Sequence, residues 1–250
     1  MYDDATREHA LTRLRSGESL RQLQRTTGIS LNTLREWRAR GGAYADKHIC
    51  PCFLCRRGES PPTQPYLYLL GQYLGDGCVD RMGRSWVLRI ATCDAYPGIR
   101  AEVVDAITQL VSNRVHFVAQ QGCTTVGCIT RQWLHLLPQH GPGRKHERPI
   151  ILTAWQSRLV ASNPRPLIRG LMHSDGWRGD NWTERRVGQT TKRYTYSRYL
   201  FSNRSDDILR IFTDALDLAG VEWKQNNRWS ISIARRDAVA RLDDFVGPKF

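Results

Sequence analysis

The chain has 250 residues, 40% hydrophobic and 24% charged, and its 37 Lys and Arg against 24 Asp and Glu give a formal net charge of +13. That excess attracts polyanions, although charge alone does not separate DNA from RNA. The longest apolar runs stay under a dozen residues, which excludes a membrane-spanning helix. Seven Cys, an odd number without a signal peptide, exclude a disulfide framework and place the chain in a reducing cytoplasm. Met1 opens the sequence and no splicing junctions are recognisable, so it reads as freestanding.

Residues 1–42 read as a separate all-α module. Asp4 to Arg15, Ser19 to Thr26 and Leu31 to Arg40 have helical patterns, with Gly28-Ile29-Ser30 as a turn and Leu11, Leu14, Leu20, Leu23, Ile29, Leu34 and Trp37 as a small apolar core. This order resembles a helix-turn-helix, whose second helix enters the major groove. In that register Asn32, Thr33, Arg35, Arg38 and Arg40 are available to DNA. Some forty residues make a marginal core that leans on DNA or a neighbour. Residues 43–65 form a Gly- and Pro-rich linker in which His48, Cys50, Cys52 and Cys55 have zinc-ligand spacing. No second Cys-x-x-Cys exists, so a reduced, metal-free knuckle stands beside zinc as the alternative. Cys123 and Cys128 fall in a strand region, where Cys serves as a small buried hydrophobe.

The next element repeats. Leu69-Leu70-Gly71-Gln72-Tyr73-Leu74-Gly75-Asp76-Gly77 returns as Ile168-Arg169-Gly170-Leu171-Met172-His173-Ser174-Asp175-Gly176. Each copy reads as a helix with small residues four apart, then an acid, then a Gly able to stop the helix in the left-handed conformation. Small residues at that spacing share one face and let two helices touch backbone to backbone. If Gly71 and Gly75 pack on Gly170 and Ser174, Asp76 and Asp175 emerge side by side. Two adjacent carboxylates need a shared proton or a shared cation, and magnesium suits a few carboxylates with water and phosphate.

These paired motifs resemble the LAGLIDADG homing endonucleases in their single-chain, two-repeat form. The resemblance implies an α+β fold of two pseudo-symmetric αββαββα repeats, 66–148 and 167–250, joined by a connecting segment, 149–166, and preceded by the small helix-turn-helix. It also implies a monomer with an internal two-fold, and magnesium held by Asp76 and Asp175 together with the backbone carbonyls of Gly75 and Ser174. The sequence after each motif agrees. Ser85 to Ala91 and Tyr194 to Phe201 are strand-like, and Ile99, Val103, Ile107, Leu110 and Val111 match Ile208, Phe212, Ala215 and Leu216 on helices, the second opened by Ser205. Thr124 to Thr130 and Trp229 to Ala234 supply second strands, and about Arg131 to Leu137 and Arg236 to Phe245 second helices.

Only five of the basic residues are Lys, and two of them, Lys145 and Lys249, lie at matched positions after Gly-Pro near the end of each repeat. In the family a basic residue near each acid organises the attacking water or offsets phosphate charge, which an ammonium suits because its pKa shifts readily on desolvation. Between Trp177 and Phe201, Arg178, Arg185, Arg186, Lys192, Arg193 and Arg198 interleave with Trp and Tyr. Strand alternation would pack one face on helices and turn the other to base edges, and Arg81, Arg84 and Arg89 form a thinner version in the first half. The implied activity is site-specific, metal-dependent double-strand cleavage of DNA. A non-cleaving DNA-binding regulator and an RNA maturase are the alternatives on the same scaffold.

Overall fold

The computed structural model describes residues 2–40 and 52–250, and the chain divides into two units, Met1–Pro51 and Cys52–Phe250. The first holds α1 (Asp4–Arg15), α2 (Leu20–Thr27) and α3 (Leu31–Arg40). Side-chain caps set each start: Thr6 N donates to the Asp3 carboxylate at 2.7 Å, Gln22 N to Ser19 Oγ at 3.2 Å and Thr33 N to Ser30 Oγ at 3.1 Å. Gly28, at φ +72°, reverses the chain between α2 and α3. Ala10, Leu11, Leu23, Ile29, Leu34 and Trp37 are buried together, with Leu14 and Leu20 packed on them.

The second unit begins with a single helical turn, α4 (Phe53–Arg57). The first repeat follows as α5 (Thr63–Leu74), β1 (Gly77–Met82), β2 (Ser85–Cys93), α6 (Pro97–Leu110), β3 (Val115–Gln120), β4 (Cys123–Ile129) and α7 (Trp133–Leu136). After α8 (Ala154–Ser162), the second repeats that order as α9 (Arg165–Asp175), β5 (Gly176–Val187), β6 (Thr190–Ser202), α10 (Asp206–Leu218), β7 (Lys224–Asn227), β8 (Ser230–Ile233) and α11 (Arg236–Asp243). Each repeat makes one antiparallel sheet, β1-β2-β4-β3 and β5-β6-β8-β7. Leu88 and Ile90 of β2 and Tyr199 and Phe201 of β6 turn alternate side chains onto the helices, so one core spans both repeats. At its centre α5 is buried without a break from Tyr66 to Leu74, as expected of a helix that is apolar on nearly every face.

Four local features differ from the sequence reading. Neither Gly77 nor Gly176 takes positive φ. Each starts a strand pressed on its own motif helix, where a Cβ would stand 2.5 Å from Tyr73 Cα or from the Met172 carbonyl oxygen. Lack of bulk, not left-handed freedom, is what the position requires. Second, α7 is one turn long, because Trp133 plunges into the core and donates from Nε1 to Cys128 O at 2.8 Å. Third, the segment 149–166 carries α8. Its buried Gln156 accepts from Thr153 N at 2.8 Å and donates to Tyr66 Oη at 2.6 Å and Gln139 Oε1 at 3.1 Å, a network that no apolar periodicity reports. Fourth, the far half of the β5–β6 hairpin runs past the helices. Lys192, Arg193, Tyr194 and Thr195 are all exposed, so neither face packs there.

Candidate functional site

The site is built by the contact of two backbones. A Cβ on Gly71 would stand 2.7 Å from Leu167 O and Leu171 N, and one on Gly170 would collide with Tyr68 O. One turn further, Gly75 faces Ser174, and Asp175 Oδ2 lies 3.2 Å from the place a Gly75 Cβ would take. Asp76 and Asp175 are thereby held at the same end of the α5–α9 pair. Burial first, then the Asp175 charge, pushes Asp76 up to about 6 against the pull of Lys145 and Lys249. Asp175 is also raised by burial, offset in part by Asn203 Nδ2, which donates to its Oδ2 at 2.7 Å.

Both matched lysines reach this end. The Lys145 ammonium donates to the carbonyls of Tyr73, Leu74 and Gly75 at 2.5, 3.0 and 2.7 Å, and Lys249 donates to Ser174 O at 3.0 Å. These are the carbonyls a helix leaves without partners at its C-terminus, where the macrodipole also favours a cation. Burial lowers Lys145 to about 8 and lowers Lys249 as well, although both acids act to raise them. An open cleft of about 440 Å³ beside them is lined by Gly75, Cys78, Lys145, Asp175, Asn203 and Arg204. A larger cleft, about 730 Å³, opens around Gln64, Glu102 and Arg165 toward the start of α5 and α9, away from the acids.

Straps that cross between the repeats hold the lysines. Beyond Lys145, Ile150 N donates to Asp207 Oδ2 at 2.9 Å at the start of α10. Around Lys249, Gly98 N and Ile99 N donate to Phe250 O at 2.8 and 3.2 Å, capping α6. Arg169 pairs with Glu102 through 3.1 and 2.5 Å bonds and donates to the carbonyls of Phe245, at 2.9 Å, and Val246. Burial, reinforced by Arg169, lowers His173 to about 4, so its ring is neutral. Nε2 then donates to Val246 O at 3.0 Å, and Nδ1 accepts from Tyr68 Oη at 3.2 Å.

The basic residues divide by sheet face. Arg185 is paired with Lys192, and Arg198 lies opposite Gly179, on the face turned from the helices. Arg198 donates to Ser232 Oγ at 2.8 Å. Arg178 lies opposite Tyr199 on the helix side, where its Nε and Nη2 donate to the Asp243 carboxylate at 2.6 and 2.8 Å. It is a strut between β5 and α11, with its guanidinium paired to Asp243. Arg186 and Arg193 share its strand parity but lie out on the exposed hairpin, with Arg193 stacked 4.3 Å over the Trp182 ring. Arg81 and Arg84 are exposed at the β1–β2 turn, and Arg89 is paired with Asp80. On α3, Asn32, Arg35 and Arg38 are exposed, Thr33 spends its hydroxyl on Ser30 Oγ at 2.8 Å, and Arg40 ends the helix.

His48 and Cys50 lie outside the described residues, whereas Cys52 and Cys55 close on His135 of α7. Asn203 and His135 had no signal of their own in the sequence. By strand register, with Phe201 opposite Gly176 as Ile90 is opposite Gly77, Asn203 corresponds to Thr92, whose hydroxyl donates to Thr124 O at 2.7 Å.

No protein-family model matches the chain, and no curated protein does. Among solved structures, matches include the homing endonuclease I-DmoI in complex with DNA and Mn, at 12% identity over 75% of this chain and 99% of that one, with a TM-score of 0.47. The LAGLIDADG meganuclease I-AabMI bound to uncleaved DNA matches at 12% identity over 72% and 82%, TM-score 0.46. The homing endonuclease I-WcaI bound to its DNA recognition sequence matches at 13% over 78% and 86%, TM-score 0.46. Each is described as a homing endonuclease or a meganuclease, and the identities and TM-scores are low. No helix among the described residues is long and apolar enough to cross a membrane.

Proposed function

We propose that this chain is a site-specific, divalent-metal-dependent endonuclease that hydrolyses both strands of DNA as a monomer. One observation carries the reading: two acids, the exposed Asp76 and the half-buried Asp175, one from each repeat, meet at the end of a two-fold helix pair, each pushed up by partial desolvation and each accompanied by a lysine. The donor set is all oxygen, the carboxylates of Asp76 and Asp175 and the carbonyls of Gly75 and Ser174, which suits magnesium better than a soft metal. When bound, the ion would lower the pKa of water and stabilise the leaving oxygen.

Asp76 and Asp175 would hold that ion near the scissile phosphates, and Asn203 would fix the Asp175 carboxylate in one orientation. Lys145 and Lys249 would keep positive charge where a phosphate approaches, and burial leaves each of them readier than an exposed lysine to give up a proton. Gly75 O and Ser174 O each carry one ammonium bond, which leaves a second lone pair for a cation. The two sheets would lie along the duplex, with Arg185, Lys192 and Arg198 on the face turned from the helices. The small unit would act as a helix-turn-helix, adding Asn32, Arg35 and Arg38 of α3.

A second reading, a DNA-binding protein that keeps the scaffold without cutting, has one observation in its favour: both lysines already serve as helix caps, a role that needs no chemistry. Incubation with genomic DNA fragments and magnesium, followed by mapping of the ends, separates the two. Recurrent double-strand ends at one sequence, abolished by Asp76→Asn or Asp175→Asn with DNA binding retained, are the expected result. Binding without ends in the parent protein would leave the regulator.

A further inference from the structure

We propose that Cys52, Cys55 and His135 bind a zinc ion that clips the start of the larger unit to α7. The three ligand atoms lie within 4.8 Å of one another. Cys52 Sγ is 3.4 Å and Cys55 Sγ 2.8 Å from the same atom, His135 Nδ1. Ligands bound to one tetrahedral zinc at about 2.3 Å for sulfur and about 2.1 Å for nitrogen stand roughly 3.5 Å apart, so the sulfur and nitrogen atoms need only small shifts to share an ion.

The local structure supports a ligand rather than a chance contact. Cys52 caps α4 and Cys55 lies one turn on, so the two thiols share a face of a helix only five residues long. A helix of that length has too few internal bonds to sustain itself, and something outside it must hold it in place. The opposing wall is rigid. Trp133 is fully buried and bonded to Cys128 O, and Tyr66 Oη donates to Leu136 O at 2.7 Å, so His135 stands between two anchored residues. Two thiols aimed at one ring nitrogen make a poor hydrogen-bond arrangement, because that nitrogen has either one proton or one lone pair to offer. A shared cation resolves it: both thiols give up their protons to solvent and the neutral imidazole binds through Nδ1. Among the described residues no fourth Cys, His, Asp or Glu joins the group, which leaves the last position of the tetrahedron to water or another donor. The ligand set differs from the local one read in the sequence, since one ligand comes from 80 residues away. It also stands apart from the Asp76 and Asp175 pair, whose donors are oxygen.

The test uses the full chain, purified without chelator, with metal measured by inductively coupled plasma mass spectrometry after a magnesium wash. One zinc per chain is expected, lost in Cys55→Ser and in His135→Ala and retained in Asp175→Asn. Cys55 is exposed, so its replacement by Ser leaves the core intact. Cobalt added to the zinc-stripped parent should give thiolate charge-transfer bands that Cys55→Ser weakens, and zinc should raise the melting temperature of the parent but not of that variant. Three results would each overturn the proposal: no zinc in the parent after loading, undiminished zinc in both variants, or an intact mass showing Cys52 and Cys55 oxidised to a disulfide that zinc cannot displace.

Discussion

The two repeats share their centre and differ at their edges. At the centre the symmetry is close: Gly71 meets Gly170, Lys145 caps α5 as Lys249 caps α9, and each strap crosses to the other repeat's helix. At the edges it fails. The strands of the β5–β6 hairpin run 12 and 13 residues against 6 and 9 for β1–β2, while β7 and β8 are short. Leu70 and Leu74 of the first motif give way to Arg169 and His173 in the second, which grip the strap that carries Lys249. Asp175 has Asn203 as a donor, whereas among the described residues no side chain donates to Asp76. Backbone contact tolerates little change, so the centre is held alike, while exposed hairpins are free to diverge.

The largest effect expected is at the shared centre. Gly71→Leu and Gly170→Leu should each destabilise the protein by more than about 3 kcal/mol, beyond ordinary overpacking, because even a Cβ would meet opposing backbone. Urea denaturation followed by circular dichroism measures this, and a midpoint unchanged in either variant would show that the helix pair is not the interface.

The next concerns the unequal acids. A folded-state value of about 6 for Asp76, above its unfolded value, means that this group stabilises the metal-free fold at low pH and that the contribution is lost as pH rises through about 6. His173 works in the opposite direction over part of the same range, so the informative quantity is a difference between proteins. In chelator, Asp76→Asn should gain stability over the parent as pH rises from the acid side through about 6 to neutrality, and Asp175→Asn should gain less, because Asn203 already eases that charge. Parallel curves for the parent and Asp76→Asn would remove the burial argument for the site.

The smallest effect lies in the hairpins. If the chain binds DNA through its sheets, Arg185→Ala with Lys192→Ala should flatten the log-log salt dependence of binding by about 0.9 for each phosphate no longer neutralised. Arg89→Ala should change it less, since Asp80 already holds that guanidinium. Equal slopes for the two variants would mean that both sheets engage the duplex alike.

What the sequence made legible was whatever repeats or alternates. The duplicated motif specified a helix pair because only small residues permit that approach, and Leu88, Ile90, Ile208 and Phe212 announced their elements by period. The cap at Ser205 rests on a side chain close to the amide it meets. Pairings between distant segments were not legible. Arg178 looked like one more basic residue until strand parity put it opposite Tyr199 and beside Asp243. His135 had no neighbour in the sequence to give it meaning, and Asn203 needed the end of β6 located before its reach to Asp175 could be seen. The glycines after the acids were noticed for a valid chemical property of glycine that this junction does not use.

The strap that carries Lys249 and Phe250 has a consequence for biogenesis. The amides of Gly98 and Ile99 at the start of α6 take their partner from Phe250, and the turn that exposes them is made early in synthesis. A helix whose first amides lack acceptors frays from that end. The first repeat therefore leaves the ribosome with α6 unfinished and completes it only when the strap of the second arrives. Maturation of this molecule is thus timed by residues that emerge after both sheets, and a nascent chain halted between the two repeats would present an open helix end to chaperones and proteases.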